Sequence, residues 1–340
     1  MNSILRGARR SKSVLFRFET LLVVVLLIEV LVFTNTGANF ATTSNTFEIL
    51  RLSTEIGLLA AVMTPVILTG GIDLSVGSLL GLCAILFGKF WRDVGMSPAV
   101  AAACTLLVGA TGGGLNALLI TRLRLPPLIV TLGSYSLFRG LAEAITRGVD
   151  NFTGFPESFL FLGQGYWFDV VPAQVPILAG VGLAVWLLVH RTVWGRSFRA
   201  IGFAPEGAIY AGIPEGRRLS LVYVLAGTVS ALAALVYVSR VGQAKADAGT
   251  GYELLAIAAV VLGGTSIFGG TGSVHGSLLG VIVLAVLKIG LTLSDQPSEL
   301  AGILTGVLLL VVLSSEALAK TIAGRFRLGR DSSMTQRADL

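Results

Sequence analysis

Apolar positions in this chain do not alternate with polar ones; they run together. Ten runs stand out, at approximately Phe18–Phe33, Ile56–Gly70, Val76–Gly88, Pro98–Ile120, Leu128–Ile145, Val175–His190, Leu219–Val238, Leu254–Phe268, Gly276–Leu293 and Leu300–Leu313. An α-helix of about 20 apolar residues crosses the hydrocarbon core of a bilayer. The runs therefore predict an all-α integral membrane protein of about ten transmembrane helices. The second and third runs are short enough to form one broken or re-entrant unit instead. The first run follows a basic stretch, as in a signal peptide, but it is long and no small-x-small site follows it. It reads as an uncleaved helix.

Charge gives the expected direction. With the N-terminus inside, the inner segments hold Arg6, Arg9, Arg10, Lys12, Arg17, Arg122, Arg124, Arg191, Arg196, Arg199, Arg217, Arg218, Lys320, Arg325, Arg327, Arg330 and Arg337. The outer loops hold Arg51, Lys89, Arg92, Arg147, Arg240 and Lys245. Arg139 and Lys288 fall within spans. This asymmetry follows the positive-inside rule and predicts both termini in the cytoplasm. The organisation expected is a basic N-terminus over 1–17, a transmembrane domain over 18–314 with a cytoplasmic loop over 191–218, and a cytoplasmic tail over 315–340.

Composition narrows the class. The chain of 340 residues is 54% hydrophobic and 13% charged, about half the charge of a soluble domain. A soluble enzyme, a disordered regulator and a nucleic-acid binder are excluded. Loop charge accounts for the net +6 without any nucleic acid. Two cysteines, Cys83 and Cys104, make no disulfide scaffold, and His190 and His275 have no metal-ligand spacing around them.

The energy source is the next question. Ion-coupled carriers place carboxylates near the bilayer midplane, and the runs look nearly free of acids apart from Asp73 and Glu143. No G-x-x-x-x-G-K-[ST] sequence is present, so any ATP must be bound by another polypeptide. The cytoplasmic loop offers a docking element. Pro205 and Glu206 suit a helix start, Gly212 and Pro214 its end, with Ala208, Ile209, Tyr210 and Ala211 between. On physical grounds, insertion into a partner and rest on lipid headgroups stand equal.

Sequence blocks break that tie. Leu68-Thr-Gly-Gly-Ile-Asp-Leu-Ser-Val-Gly-Ser78, Thr131-Leu-Gly-Ser-Tyr-Ser-Leu-Phe-Arg-Gly140, the loop Gly195–Gly212 and Ala258-Ala-Val-Val-Leu-Gly-Gly-Thr-Ser-Ile-Phe-Gly-Gly-Thr-Gly-Ser273 occur in order. Together they resemble the permease subunits of ribose-type monosaccharide ABC importers, over roughly residues 55–313. The resemblance implies a non-enzymatic permease in the bacterial inner membrane. It implies a second permease chain, like or unlike, a cytoplasmic ABC ATPase subunit that binds the ATP, and a periplasmic sugar-binding protein. The permease itself needs no cofactor or metal. Pro205–Gly212 then resembles the coupling helix. Phe155-Pro-Glu-Ser-Phe159 and Gln243–Glu253 are most similar to the rhamnose and autoinducer-2 branches. The expected cargo is a pentose, hexose or deoxyhexose such as ribose or rhamnose, with autoinducer 2 the alternative in the family. Outside it, the rivals are a stand-alone secondary sugar carrier and an intramembrane enzyme; no cluster of catalytic groups at one depth supports the enzyme.

Several residues carry expectations of their own. Gly70, Gly71, Asp73, Ser75 and Gly77 form a signature turn, read either as a cap and tight turn or as a gate. Gly263, Gly264, Gly269, Gly270 and Gly272 form a second glycine-rich turn on the same side. The strings Ser75–Gly81 and Ser273–Gly280 are alike. Arg139 lies one helical turn from Glu143, so the two are expected to pair or to line the solute path, and Lys288 is read the same way. Tyr166 and Trp167 fit an interfacial aromatic belt.

Overall fold

The computed structural model describes residues 2–297 and 299–308, with Leu310 and Ser314, and describes side chains from Glu19 onward. The tail over 315–340, with its basic residues, lies outside the described residues, as does most of the tenth run beyond Leu308. Among the described residues the fold is helical. In chain order the helices are α1 (Asn2–Thr36), α2 (Thr43–Leu68), α3 (Val76–Arg92), α4 (Pro98–Arg122), α5 (Pro127–Thr146), α6 (Glu157–Gln164), α7 (Val175–Arg191), α8 (Val193–Phe203), α9 (Pro205–Tyr210), α10 (Glu215–Val241), α11 (Tyr252–Leu262) and α12 (Val274–Leu293), followed by α13 (Glu299–Leu308).

Local chemistry sets several boundaries. The Thr42 and Ser97 hydroxyls accept from Asn45 and Val100 backbone N–H groups at the starts of α2 and α4. Pro98 and Pro127 occupy first-turn positions where a missing N–H costs nothing. Gly242, left-handed at φ +71°, ends α10.

Among the described residues, six helical stretches are long and apolar enough to cross a membrane: Glu19–Thr36 of α1, α2, α4, α5, α10 and α12. The pair α7 and α8 passes the same test only if its two helices, bent by 69°, are counted as one span. The remaining runs are shorter as helices. The eighth ends at Leu262, so α11 covers only about 16 Å at 1.5 Å per residue. α3 has 17 residues and covers about 25 Å. α13 is likewise shorter than a full crossing. Glycine turns and extended segments therefore take up part of what reads as uninterrupted apolar sequence.

α2 and α10 form the centre. α2 is buried over Gly57–Leu68. α10 lies against α2, α3 and α4. Its Gly227 meets Gly109 and Gly113 of α4 backbone to backbone, the close approach that small residues permit between membrane helices. α1 stands outside with Leu27 and Leu31 uncovered. Two short antiparallel ribbons complete the fold: β1 (Phe152–Thr153) with β4 (Gln243–Ala244), and β2 (Tyr166–Trp167) with β3 (Val171–Pro172).

Contacts sort the connections into two ends. One end, here the basic end, gathers the 69–75 turn, the arginine-rich 191–218 loop and the 263–273 turn. The opposite end gathers the β1–β4 ribbon, α6 and the α10 terminus. There Asp93 accepts from Arg92, which with Lys89 holds its carboxyl below the usual range.

Candidate functional site

Three segments meet at the basic end. The Gly270 N–H donates to the Leu68 carbonyl at 2.9 Å, joining the second glycine turn to the end of α2. Gly202, near the end of α8, sits against both groups, and a methyl there would fall on the Leu68 oxygen and the Gly270 nitrogen. Gly270 has φ +80°, and a methyl there would press on Phe203 at 3.2 Å. Both glycine turns and the α8–α9 elbow thus form one contact, with the two turns on the same side as expected.

α9 is shorter than expected: helix spans Pro205–Tyr210, and Ala211 and Gly212 follow as its turn. Tyr210 is 90% exposed and Ile209 54%, whereas Ala208 is buried. Pro205, Glu206, Ala211 and Gly212 are exposed. Phe203 and Phe268 add exposed aromatic surface from α8 and the second turn. The elbow is braced: Thr192 accepts from the Trp194 N–H, Arg218 stacks on Trp194 with 3.8 Å to the ring centroid, and Arg199 donates to the Val189 carbonyl at 2.9 Å. α1 is fastened beside it, since Glu19 takes His275 at 2.7 Å and Ser273 at 2.9 Å.

The signature turn rises from the basic end into the bundle. Asp73 Oδ1 accepts from the Ser75 N–H at 2.9 Å and the Ser75 hydroxyl at 2.6 Å. The Asn116 amide donates to Ser75 Oγ at 2.8 Å, and Ser134 donates to Asn116 Oδ1. Thr131 donates to the Ile72 carbonyl at 3.0 Å. Asp73 therefore closes the turn onto Ser75, while Ser75 makes no side-chain cap on α3 and instead links α3 to α4. Gly71 faces the Tyr223 hydroxyl, which has no hydrogen-bond partner. Gly70 is left-handed at φ +82° beside the second turn.

The expected Arg139–Glu143 pair does not form. Arg139 Nη1 donates to the Ala246 and Ala248 carbonyls across from α5, while Glu143 is exposed. Spacing of four places two side chains on one face, but the carbonyls of the turn that follows β4 compete for the guanidinium. Lys288 is exposed on α12. The impression of spans nearly free of acids also needs correcting. Glu29 lies within α1, Glu55 is buried in the middle of α2 and Glu253 in the first turn of α11, both just outside the run boundaries. Glu55 pairs with Arg240 at 2.6 Å. Glu253 Oε2 lies against Gly77 at the start of α3. Asn116 was also missed; its signal was a lone amide inside an apolar run.

Membrane-length helices packed around buried polar turns make this a multi-pass membrane protein of the transporter type. Residues 45–313 match the family described as "Branched-chain amino acid transport system / permease component", and the chain belongs to that family. It is similar to the "Autoinducer 2 import system permease protein LsrD" of Photorhabdus luminescens, 37% identical over 313 residues, which cover 89% of this chain and 92% of the relative. The protein of the same description from Escherichia coli (strain K12) is 38% identical over 271 residues, 78% of this chain and 81% of the relative. No solved structure matches. The resemblance to ribose-type importer permeases holds, and the chain is a permease subunit of an ABC import system rather than an enzyme.

Proposed function

We propose that this chain is the membrane-spanning subunit of an ATP-driven importer for a monosaccharide-sized, hydroxyl-rich solute across the bacterial inner membrane. One observation carries the coupling role: the α8–α9 elbow touches both glycine turns, so a push on Tyr210 and Ile209 is passed to the end of α2 and to the turn that follows α11. A cytoplasmic ABC ATPase subunit supplies that push. A periplasmic binding protein delivers the solute, and a second permease chain closes the path. The basic end faces the cytoplasm. The chain passes ten times with both termini inside, and extended segments complete the short third and eighth passes.

Among cargoes, the function named for the relatives favours autoinducer 2 over ribose or rhamnose. Weak, wet binding in the permease and tight binding in the delivery protein suit either. The test is purification from native membranes in mild detergent, then uptake in liposomes. Co-purification of a P-loop ATPase and a binding protein, with ATP-dependent uptake, is expected. Uptake by the lone chain without ATP would instead establish a secondary carrier. Competition by autoinducer 2 against ribose and rhamnose then names the cargo.

A further inference from the structure

The segment joining β4 to α11 is non-helical, and its depth is fixed from both sides. It leaves the end opposite the basic end, where Ala244 pairs with Phe152. It then runs along α3, with Ala248 against Gly81 and Gly249 against Gly77. Gly81 and Gly77 lie 11 and 15 residues before Arg92, so about 16 and 22 Å from that end of α3. From Tyr252, α11 needs its full length of about 16 Å to reach Gly263 at the basic end. Residues 246–251 therefore sit near the middle of the hydrocarbon thickness of about 30 Å.

Irregular backbone at that depth is tolerated only where protein buries it or water lines it. One side is buried: Ala248, Gly249 and Glu253 face α3, and Arg139 holds the Ala246 and Ala248 carbonyls. The other side is not. Asp247 and Thr250 are exposed, and they are tied into a turn by the Thr250 hydroxyl, which donates to the Asp247 carbonyl at 2.6 Å. On α5, the helix that supplies Arg139, Ser136, Gly140 and Glu143 are exposed as well. α5 also exposes Leu132, Leu137 and Leu141 beside them, whereas the exposed positions of the 246–251 turn are the polar Asp247 and Thr250.

Resting on the importer reading, we infer that the exposed side of residues 246–251 is a wall of the solute path, where Asp247 and Thr250 bind hydroxyl groups of a neutral, hydroxyl-rich solute at mid-depth. A carboxylate accepts two sugar hydroxyls at once, and a threonine hydroxyl already donating to backbone still accepts. Arg139 is a positioning residue, fixing the segment rather than touching solute.

The test uses the complete transport complex in vesicles, with Cys83→Ala and Cys104→Ala as background. Asp247→Cys and Thr250→Cys are each probed with a charged, membrane-impermeant thiol reagent, with Leu107→Cys as the lipid-facing comparison. Reaction roughly ten-fold or more faster at 247 and 250 than at 107 is expected, slowed by whichever of autoinducer 2, ribose or rhamnose the complex carries. Rates equal to that at 107, or no protection by any carried solute, would each overturn the inference. ATP-dependent uptake is recorded in the same vesicles. Uptake with unreactive cysteines sinks the path wall alone, and reactive cysteines with ATP-independent uptake sink the importer reading alone.

Discussion

One methyl group tests the contact at the basic end. Gly202→Ala keeps helix propensity, and would ordinarily gain about 0.5–1 kcal/mol by restricting the unfolded chain. Here the added carbon falls on the Leu68 carbonyl and the Gly270 N–H, which are bonded to each other at 2.9 Å. Both obstacles are backbone, so neither rotates away. Parting them forfeits about 1 kcal/mol of hydrogen bond and adds overpacking of about 1–3 kcal/mol. The contact is then weakened by about 2–4 kcal/mol, or roughly 30-fold or more in its equilibrium. Gly207→Ala serves as the matched control in the same loop, because its methyl would meet only Ala204 Cβ at an ordinary 3.5 Å. Thermal unfolding of the complex, ATP hydrolysis and uptake are read together. Gly202→Ala should insert normally, lower Tm and lose uptake while ATP hydrolysis continues. Gly207→Ala should match the parent. If Gly202→Ala behaves like Gly207→Ala in all three readings, the elbow does not bear on the two turns and the coupling argument fails.

Three further outcomes follow from the geometry. Tyr210→Asp should leave Tm unchanged, because the ring is 90% exposed, yet abolish stimulation of the ATPase by loaded binding protein; Ala208→Asp should destabilise the permease itself, because that methyl is buried. Asn116→Leu removes the Ser134 hydroxyl's acceptor and the amide that donates to Ser75 Oγ, and should cost about 1–3 kcal/mol, read as a lower Tm that Asn116→Gln does not restore. Glu55→Gln leaves the Arg240 guanidinium without its counter-ion and should cost about 3–5 kcal/mol, whereas Glu55→Gln with Arg240→Gln should recover most of the loss in a double-mutant cycle.

The sequence made the helical membrane class, the two glycine turns and the short helix in the arginine-rich loop legible, because each leaves a local mark: long apolar runs, paired glycines, a proline-acid start. What it hid was non-local. Arg139 has Glu143 one turn away, yet finds the Ala246 and Ala248 carbonyls more than a hundred residues on. The eighth run reads as apolar through Phe268, but helix stops at Leu262, since Gly263 is needed for contact with Gly276. Glu55 and Glu253 went unread for the opposite reason. Each stands at the edge of an apolar run, where a charge passes for a loop residue, and only packing shows that both are inside.

The likeness of Ser75–Gly81 and Ser273–Gly280 acquires a physical meaning from their neighbours. In each string two glycines stand four apart, Gly77 with Gly81 on α3 and Gly276 with Gly280 on α12, so each pair forms one bare stripe along a helix face. The α3 stripe lies on the backbone of Gly249 and Ala248; the α12 stripe lies on the backbone of Gly263 and Ala259. Both therefore grip one unit, the turn that leads into α11 and α11 itself, from its two ends. The serine after the first glycine does the same job in both, donating to the carbonyl one turn back, from Ser78 to Ser75 and from Ser277 to Ser273. Two similar strings thus meet similar needs: each serine hydroxyl finds its acceptor on its own helix, and each helix lets a second backbone lie against it without a side chain between. α11 is too short to hold its place by its own apolar surface, so its position at mid-depth depends on these two faces.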